Sequence, residues 1–163
     1  MTRLPSLGPR GEGWVLIQAV LIVLVVAAAW SLGPDWTGPL RFLGIAFGIT
    51  LITGGLLFIV RGVLDLGGAF TPVPRPRDDA ELVESGVYGV VRHPIYGGLI
   101  LAAFGGAIVQ ASVVAVALAL TLAVVLWVKS RLEESWLEAR YEGYEAYRNR
   151  TPRFFPRVVR SRG

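Results

Sequence analysis

Hydrophobic positions fall in three long uncharged runs along this chain. Residues 14–32 carry no charge, residues 40–60 carry only Arg41 at their edge, and residues 95–128 carry none. A bilayer core of about 30 Å takes about 20 helical residues, so each of the first two runs predicts one membrane-spanning helix. As a single helix the third run would be about 50 Å long at ~1.5 Å per residue. That is too long for one crossing and predicts a helical hairpin, with its turn among Gly105, Gly106, Gln110 and Ser112. The first arm of that hairpin is short, which suits a helix that is tilted, partly re-entrant or shielded by protein. The expected fold class is therefore all-α integral membrane, with four transmembrane helices, the last two a hairpin over residues 95–128.

Composition agrees with this pattern. The 163 residues suffice for one domain, 53% of them are hydrophobic, and the mean hydropathy is +0.56. The first run is too long for a cleaved signal peptide and is followed by further spans. There is no cysteine and one histidine, which excludes a disulfide framework and a thiolate metal site and leaves zinc without a ligand set. No metal is expected.

Charge adds a topology. Arg3 and Arg10 precede the first span, Arg61, Arg75, Arg77 and Arg92 lie between the second and third, and nine Lys and Arg residues follow residue 128. The positive-inside rule places both termini and residues 61–94 in the cytoplasm, and four crossings give the same answer by parity. The expected location is the cytoplasmic membrane, multi-pass, with the net charge of +4 attracting anionic lipid. Too little chain remains outside the bilayer to build a nucleic-acid surface. Residues 1–13 read as a mobile tail, 14–60 as two N-terminal spans and 61–163 as a core comprising a cytoplasmic loop, the hairpin, a C-terminal helix and a tail. In the loop, "TPVPRPR" forbids a continuous helix. A short helix is expected to start at Asp78 or Asp79 and to end at Gly86. Pro94 suits the first turn of the third span. The chain from Lys129 to about Arg148 is expected to be one helix, closed off by Pro152 and Pro156.

Polar chemistry gathers in two blocks. In "SGVYGVVRHPIYGGL", Tyr88, Arg92, His93 and Tyr96 lie at a membrane boundary, where Tyr and Arg are also ordinary interfacial anchors. Gly and Pro keep the backbone there irregular, which suits a cavity wall. In "KSRLEESWLEARYEGYEAYRNRTPRFFP", Glu133, Leu137, Tyr141 and Tyr144 share one helix face, with Lys129 a turn earlier. A carboxylate beside aromatics suits a cation or the hydroxyls of a ribose. Surface pairing such as Lys129 with Glu133 is the competing reading.

Together, "LVESGVYGVVRHPIYGGL", a hairpin and "RLEESWLEARYEGYEAYRNRTPRFFP" resemble the isoprenylcysteine carboxyl methyltransferase family, within the broad group that includes phospholipid N-methyltransferases. The resemblance covers residues 80–157. It implies an integral membrane methyltransferase that takes its methyl group from S-adenosylmethionine and releases S-adenosylhomocysteine. It also implies a cytoplasmic cofactor pocket capped by the C-terminal segment. On that resemblance Leu82 and Val83 line the adenine side, and Tyr88 packs on or hydrogen-bonds the cofactor. His93, Pro94 and Tyr96, beside Arg92, form the floor near the methionine moiety, and Glu133 reaches back from the last helix. Lys129, Arg131 and Glu134 are the substrate-side candidates. Lys129 stands where the eukaryotic enzymes carry an arginine, and Lys and Arg recognise carboxylates with different geometry. The implied acceptor is lipophilic or amphiphilic, a prenylcysteine-like carboxylate or another lipid-linked small molecule in the bilayer. A phospholipid headgroup amine, and a non-catalytic membrane relative, are the alternatives.

Overall fold

The computed structural model describes residues 5–31, 38–75 and 80–157. Among them there is no strand. The elements are α1 (Glu12–Ser31), α2 (Pro39–Leu66), α3 (Pro94–Val109), α4 (Val113–Arg140) and α5 (Tyr144–Arg150), with 3₁₀ turns at Gly67–Ala69 and Gly86–Gly89. Three helices are long and apolar enough to cross a membrane: α1, α2 with its 3₁₀ extension, and α4, with mean hydropathies of 2.4, 2.3 and 2.3. The fourth, α3, has 16 residues. At ~1.5 Å per residue it is roughly 24 Å long, the short hairpin arm the sequence predicts.

Pro94 supplies the first position of α3, where a missing N–H costs nothing. The helix ends at Gln110, and Ala111 turns the chain at a φ of 50°. Ser112 then caps α4, its side chain accepting from the Ala115 N–H, and donates its own hydroxyl to the Ala28 carbonyl of α1 at 3.0 Å. The turn is therefore confined to residues 110–112. Gly105 and Gly106, expected in it, lie inside α3.

Gly105 is where α3 needs to lack a side chain. A Cβ there would stand 2.6 Å from the Gly48 carbonyl oxygen of α2, and one on Gly55 would stand 2.5 Å from that of Gly98. The two helices thus meet backbone to backbone. Lipid supplies no hydrophobic drive between helices, so close packing through small residues is one of the means of association that remain. Helix α1 packs mainly on α4, around Ala28, Ala29, Ala107 and Ala115.

Two expectations outside the spans need correction. Residues 80–84 form no helix, and Gly86 begins a 3₁₀ turn instead of ending a helix. Asp78 and Asp79, the expected caps, lie outside the described residues. The cause is a tertiary contact: the Val87 N–H donates to Asp65 Oδ2 at 2.7 Å, and Gly86, at a φ of 60°, leaves space for that carboxylate. The C-terminal helix is also broken. α4 stops at Arg140, Tyr141 is extended, and α5 restarts after Gly143. The break turns Tyr144 and Tyr147 inward, where both are buried.

Candidate functional site

A cavity of ≈ 220 Å³ opens between α1, α4, the start of α3, the 66–74 segment and the 80–83 segment, with the tyrosines of α5 at one side. Two chain crossings fasten its C-terminal wall. The Arg92 N–H donates to the Pro152 carbonyl and the His93 N–H to the Arg153 carbonyl, each at 2.9 Å. The "RH" of the first block is thus paired, strand-like, with the "PR" of the last segment.

The adjacent glutamates of α4 point different ways, as ~100° of rotation per residue requires. Glu133 faces the cavity, and its Oε2 accepts from the Tyr96 hydroxyl at 2.7 Å. Its Oε1 accepts no hydrogen bond from a described residue. Glu134 faces the C-terminal segment. Its Oε1 receives Arg92 Nε at 3.0 Å, Arg92 Nη2 at 2.9 Å and His93 Nε2 at 3.0 Å, and its Oε2 receives Arg153 Nη2 at 2.5 Å. Arg92 Nη1 continues to the carbonyls of Arg148, at 2.9 Å, and Thr151. One buried carboxylate therefore gathers two arginines, the His93 ring and the end of α5.

His93 sits between the two glutamates. A carboxylate only accepts, so the ring nitrogen at Glu134 carries the proton. In the neutral ring, Nδ1 then keeps its lone pair, 4.0 Å from Glu133 Oε2. The imidazole stacks on Tyr96, centroids 5.3 Å apart and planes within 5°, and takes the edge of Phe154 on its other side. Pro94, fully buried beside it, packs near Gly62 of α2 and does not line the cavity.

Lys129 also lines the cavity. Although it is 1% exposed, its Nζ makes no ion pair with a described residue. It donates to Gln18 Oε1 of α1 at 2.7 Å and lies 5.0 Å above the Tyr96 ring. The pairing with Glu133 that sequence spacing offered is not made. Leu82, Val83, Tyr88, Arg92, His93, Tyr96, Lys129 and Glu133 are brought to one cavity. Glu134 stands behind it and Arg131 outside it, with the Arg131 guanidinium 5.0 Å above Trp127.

Sequence reading missed several contributors. Gln18 stands out in the sequence as the one amide or charged side chain within residues 14–30, a signal masked by the span around it. The proline-rich segment supplies Phe70, Thr71, Pro72 and Pro74 to the wall. Arg153 had no signal apart from its charge.

Tyr88, Tyr144 and Tyr147, at the cavity, are held as phenols. Burial pushes the hydroxyl of Tyr88 up, with the Glu133 carboxylate adding to it. Tyr144 is raised by burial and by Glu134, and Tyr147 by burial against the opposing Arg92. Tyr88 donates to the Gly62 carbonyl at 3.2 Å and Tyr147 to the Tyr88 carbonyl at 2.7 Å. Tyr144 differs. Its residue is 1% exposed, it lines the cavity, and its hydroxyl has no partner among the described residues. A buried hydroxyl left unpaired costs about 1–3 kcal/mol, a cost that a ligand in the cavity would remove.

Among curated proteins none matches the chain significantly. A family model, that of the phospholipid methyltransferases, matches residues 43–143. The matched stretch runs from the first turns of α2 through α3 and α4, and so contains Leu82, Val83, the "RHPIY" block, Lys129 and the glutamate pair. With well over half of its length under that one description, this helical membrane chain belongs to the phospholipid methyltransferase family.

Proposed function

We propose that the cavity binds S-adenosylmethionine and that the chain passes its methyl group to an amphiphilic acceptor arriving from the bilayer. The observation that carries the reading is the Tyr144 hydroxyl, without a partner among the described residues, in the same cavity as Glu133, whose Oε1 accepts from no described residue. The donor set fits the cofactor. Leu82, Val83 and Leu137 offer apolar surface to a purine, while Tyr144 and Glu133 offer a donor and an acceptor to hydroxyls. The Glu133 charge and the faces of Tyr96 and Tyr88 suit a cation. When bound, S-adenosylmethionine supplies a methyl carbon already activated by the sulfonium.

The residues then have positioning work. Tyr96 fixes Glu133, and His93 fixes Tyr96 by stacking. Glu134 fixes His93 and, through Arg92, the segment that closes the wall. Holding two reactants in line and excluding water supplies several kcal/mol without further chemistry. For the acceptor we favour a carboxylate, prenylcysteine-like or similar, because Lys129 places a buried cation with a neutral partner in the wall. The family description supports a phospholipid headgroup amine as a second reading. That acceptor has to lose a proton first, and Glu133 Oε1, which accepts from no described residue, is one acceptor group in the cavity, beside the His93 ring. Charge distribution supports a cytoplasmic opening, where a soluble cofactor is at hand.

The test is calorimetry of purified protein in detergent with S-adenosylmethionine and S-adenosylhomocysteine. Saturable binding is expected, weakened about 2- to 10-fold in Tyr144→Phe by the loss of one hydrogen bond and abolished in Glu133→Ala. Folded wild type without saturable binding overturns the reading. Transfer from methyl-labelled cofactor then separates the acceptors: label released by mild alkali is a carboxyl ester, and label that survives it is on an amine.

A further inference from the structure

Away from the cavity, on the outer side of the α3–α4 hairpin, a second hollow of ≈ 480 Å³ is walled by Ile100, Leu120, Val124, Trp127, Phe154 and Phe155. It is almost wholly apolar and open. Leu120, Val124, Trp127 and Phe155 are all exposed. Trp127 and Val128 end the uncharged run of the chain, so Trp127 marks the depth at which hydrocarbon gives way to headgroups.

Two guanidinium groups stand at that end. Arg131, one turn beyond Trp127, lies 5.0 Å above its ring, and Arg153 lies 6.0 Å from it. Arg153 spends its charge on Glu134. Arg131 is exposed and makes no ion pair with a described residue. The arrangement is an apolar trough with a cation at its mouth, at phosphate depth. Its chemistry is complementary to an acyl chain joined to an anionic phosphate head, the abundant anionic amphiphile of a bilayer, and guanidinium presents to phosphate a planar pair of donors.

We propose that this trough is a binding site for an anionic phospholipid of the surrounding membrane, with an acyl chain along Val124, Leu120 and Ile100 and the phosphate on Arg131. The site is separate from the methyl-transfer cavity and does not depend on it. Phe154 stands between them, lining the trough on one side and meeting the His93 ring on the other. An occupied trough would therefore press on the segment that Glu134 holds.

The experiment is tryptophan fluorescence of the full chain in phosphatidylcholine vesicles containing a minor fraction of brominated lipid, either phosphatidylglycerol or phosphatidylcholine. Trp127→Phe run in parallel isolates the Trp127 contribution. Brominated phosphatidylglycerol is expected to quench that contribution about fivefold more per mole than brominated phosphatidylcholine, the preference that one cationic residue at the surface confers. Arg131→Gln should bring the two lipids to parity, and Arg75→Gln, an exposed arginine outside the trough, should leave the preference intact. Equal quenching by the two lipids in wild type overturns the proposal. So does a preference that survives Arg131→Gln or is lost equally in Arg75→Gln, since bulk charge would then explain it.

Discussion

Replacing Glu134 by glutamine keeps the shape of the side chain and removes its charge from two arginines and the His93 ring. The side chains of Arg92 and Glu134 are 7% and 5% exposed, so water does not replace the lost partner. Removing one member of a buried ion pair typically costs ~3–5 kcal/mol, most of it the penalty on the charge left behind. Here Arg92 keeps two backbone carbonyls, those of Arg148 and Thr151. Arg153 has a side chain 24% exposed and loses less. Both facts put the expected loss at the low end, about 3 kcal/mol. At 1.4 kcal/mol per decade that is roughly a hundredfold rise in the opening of the C-terminal segment. The assay is hydrogen exchange at the amides of Arg92 and His93, which donate to Pro152 and Arg153, alongside the thermal midpoint in detergent. Both amides should exchange roughly a hundredfold faster and the midpoint should fall, while amides in the middle of α2 keep their protection. Exchange and midpoint equal to wild type would refute the reasoning, because the carboxylate would then not be what holds the segment.

Three further outcomes follow from the same geometry. Gly98→Val should separate α2 from α3, since a Cβ there overlaps the Gly55 carbonyl oxygen. The expected sign is a large drop in thermal midpoint, with Gly54→Ala, where nothing lies within 4 Å, close to neutral. Gln18→Leu strips the buried Lys129 ammonium of its hydrogen bond and should cost about 1–3 kcal/mol in detergent unfolding, with Gln18→Asn recovering part of it; no loss in the leucine variant would show that Lys129 is served by another group. Tyr88, Tyr144 and Tyr147 have phenols raised above the ordinary value of 10.0. Above pH 10 the unfolded chain therefore releases protons that the folded chain retains, and stability falls as pH rises. Unfolding midpoints from pH 9 to 11, with tyrosinate absorbance read beside them, should show this fall before the buried phenols ionise.

Runs of uncharged residues, read against the thickness of a bilayer, were enough to find every long helix of this protein, because a span in lipid has to satisfy its backbone within itself and only the helix does so. The two polar blocks were legible for the same reason: in so apolar a chain, charge and aromatic hydroxyls have few places to stand. Helix periodicity also placed Glu133, Leu137 and Tyr141 on one face. Where the expectations failed, contacts between distant segments decided. Gly105 and Gly106 look like turn residues locally and lie inside α3, and Gly105 is a seam residue because α2 lies against it. Gly86 looks like a helix end and is a cradle for Asp65, 21 positions earlier in the sequence. The helix from Lys129 breaks after Arg140 because two tyrosines gain burial by turning inward.

The division of labour between the adjacent glutamates is the clearest case of what tertiary structure adds. Sequence spacing puts Glu133 on the face of Leu137 and Tyr141 and leaves the partners of Glu134 unassigned. A rotation of ~100° between neighbours on a helix sends one into the cavity and the other into an ion cluster with Arg92, His93 and Arg153. Which is which depends on where α3 and the C-terminal segment lie. The partner of Lys129 was equally out of reach: spacing offers Glu133 four residues away, and packing supplies Gln18 from the first helix. Local sequence fixes which groups are available and which face of an element they share. Only the folded chain decides which of them meet, because each meeting depends on the positions of at least two elements that the sequence specifies separately.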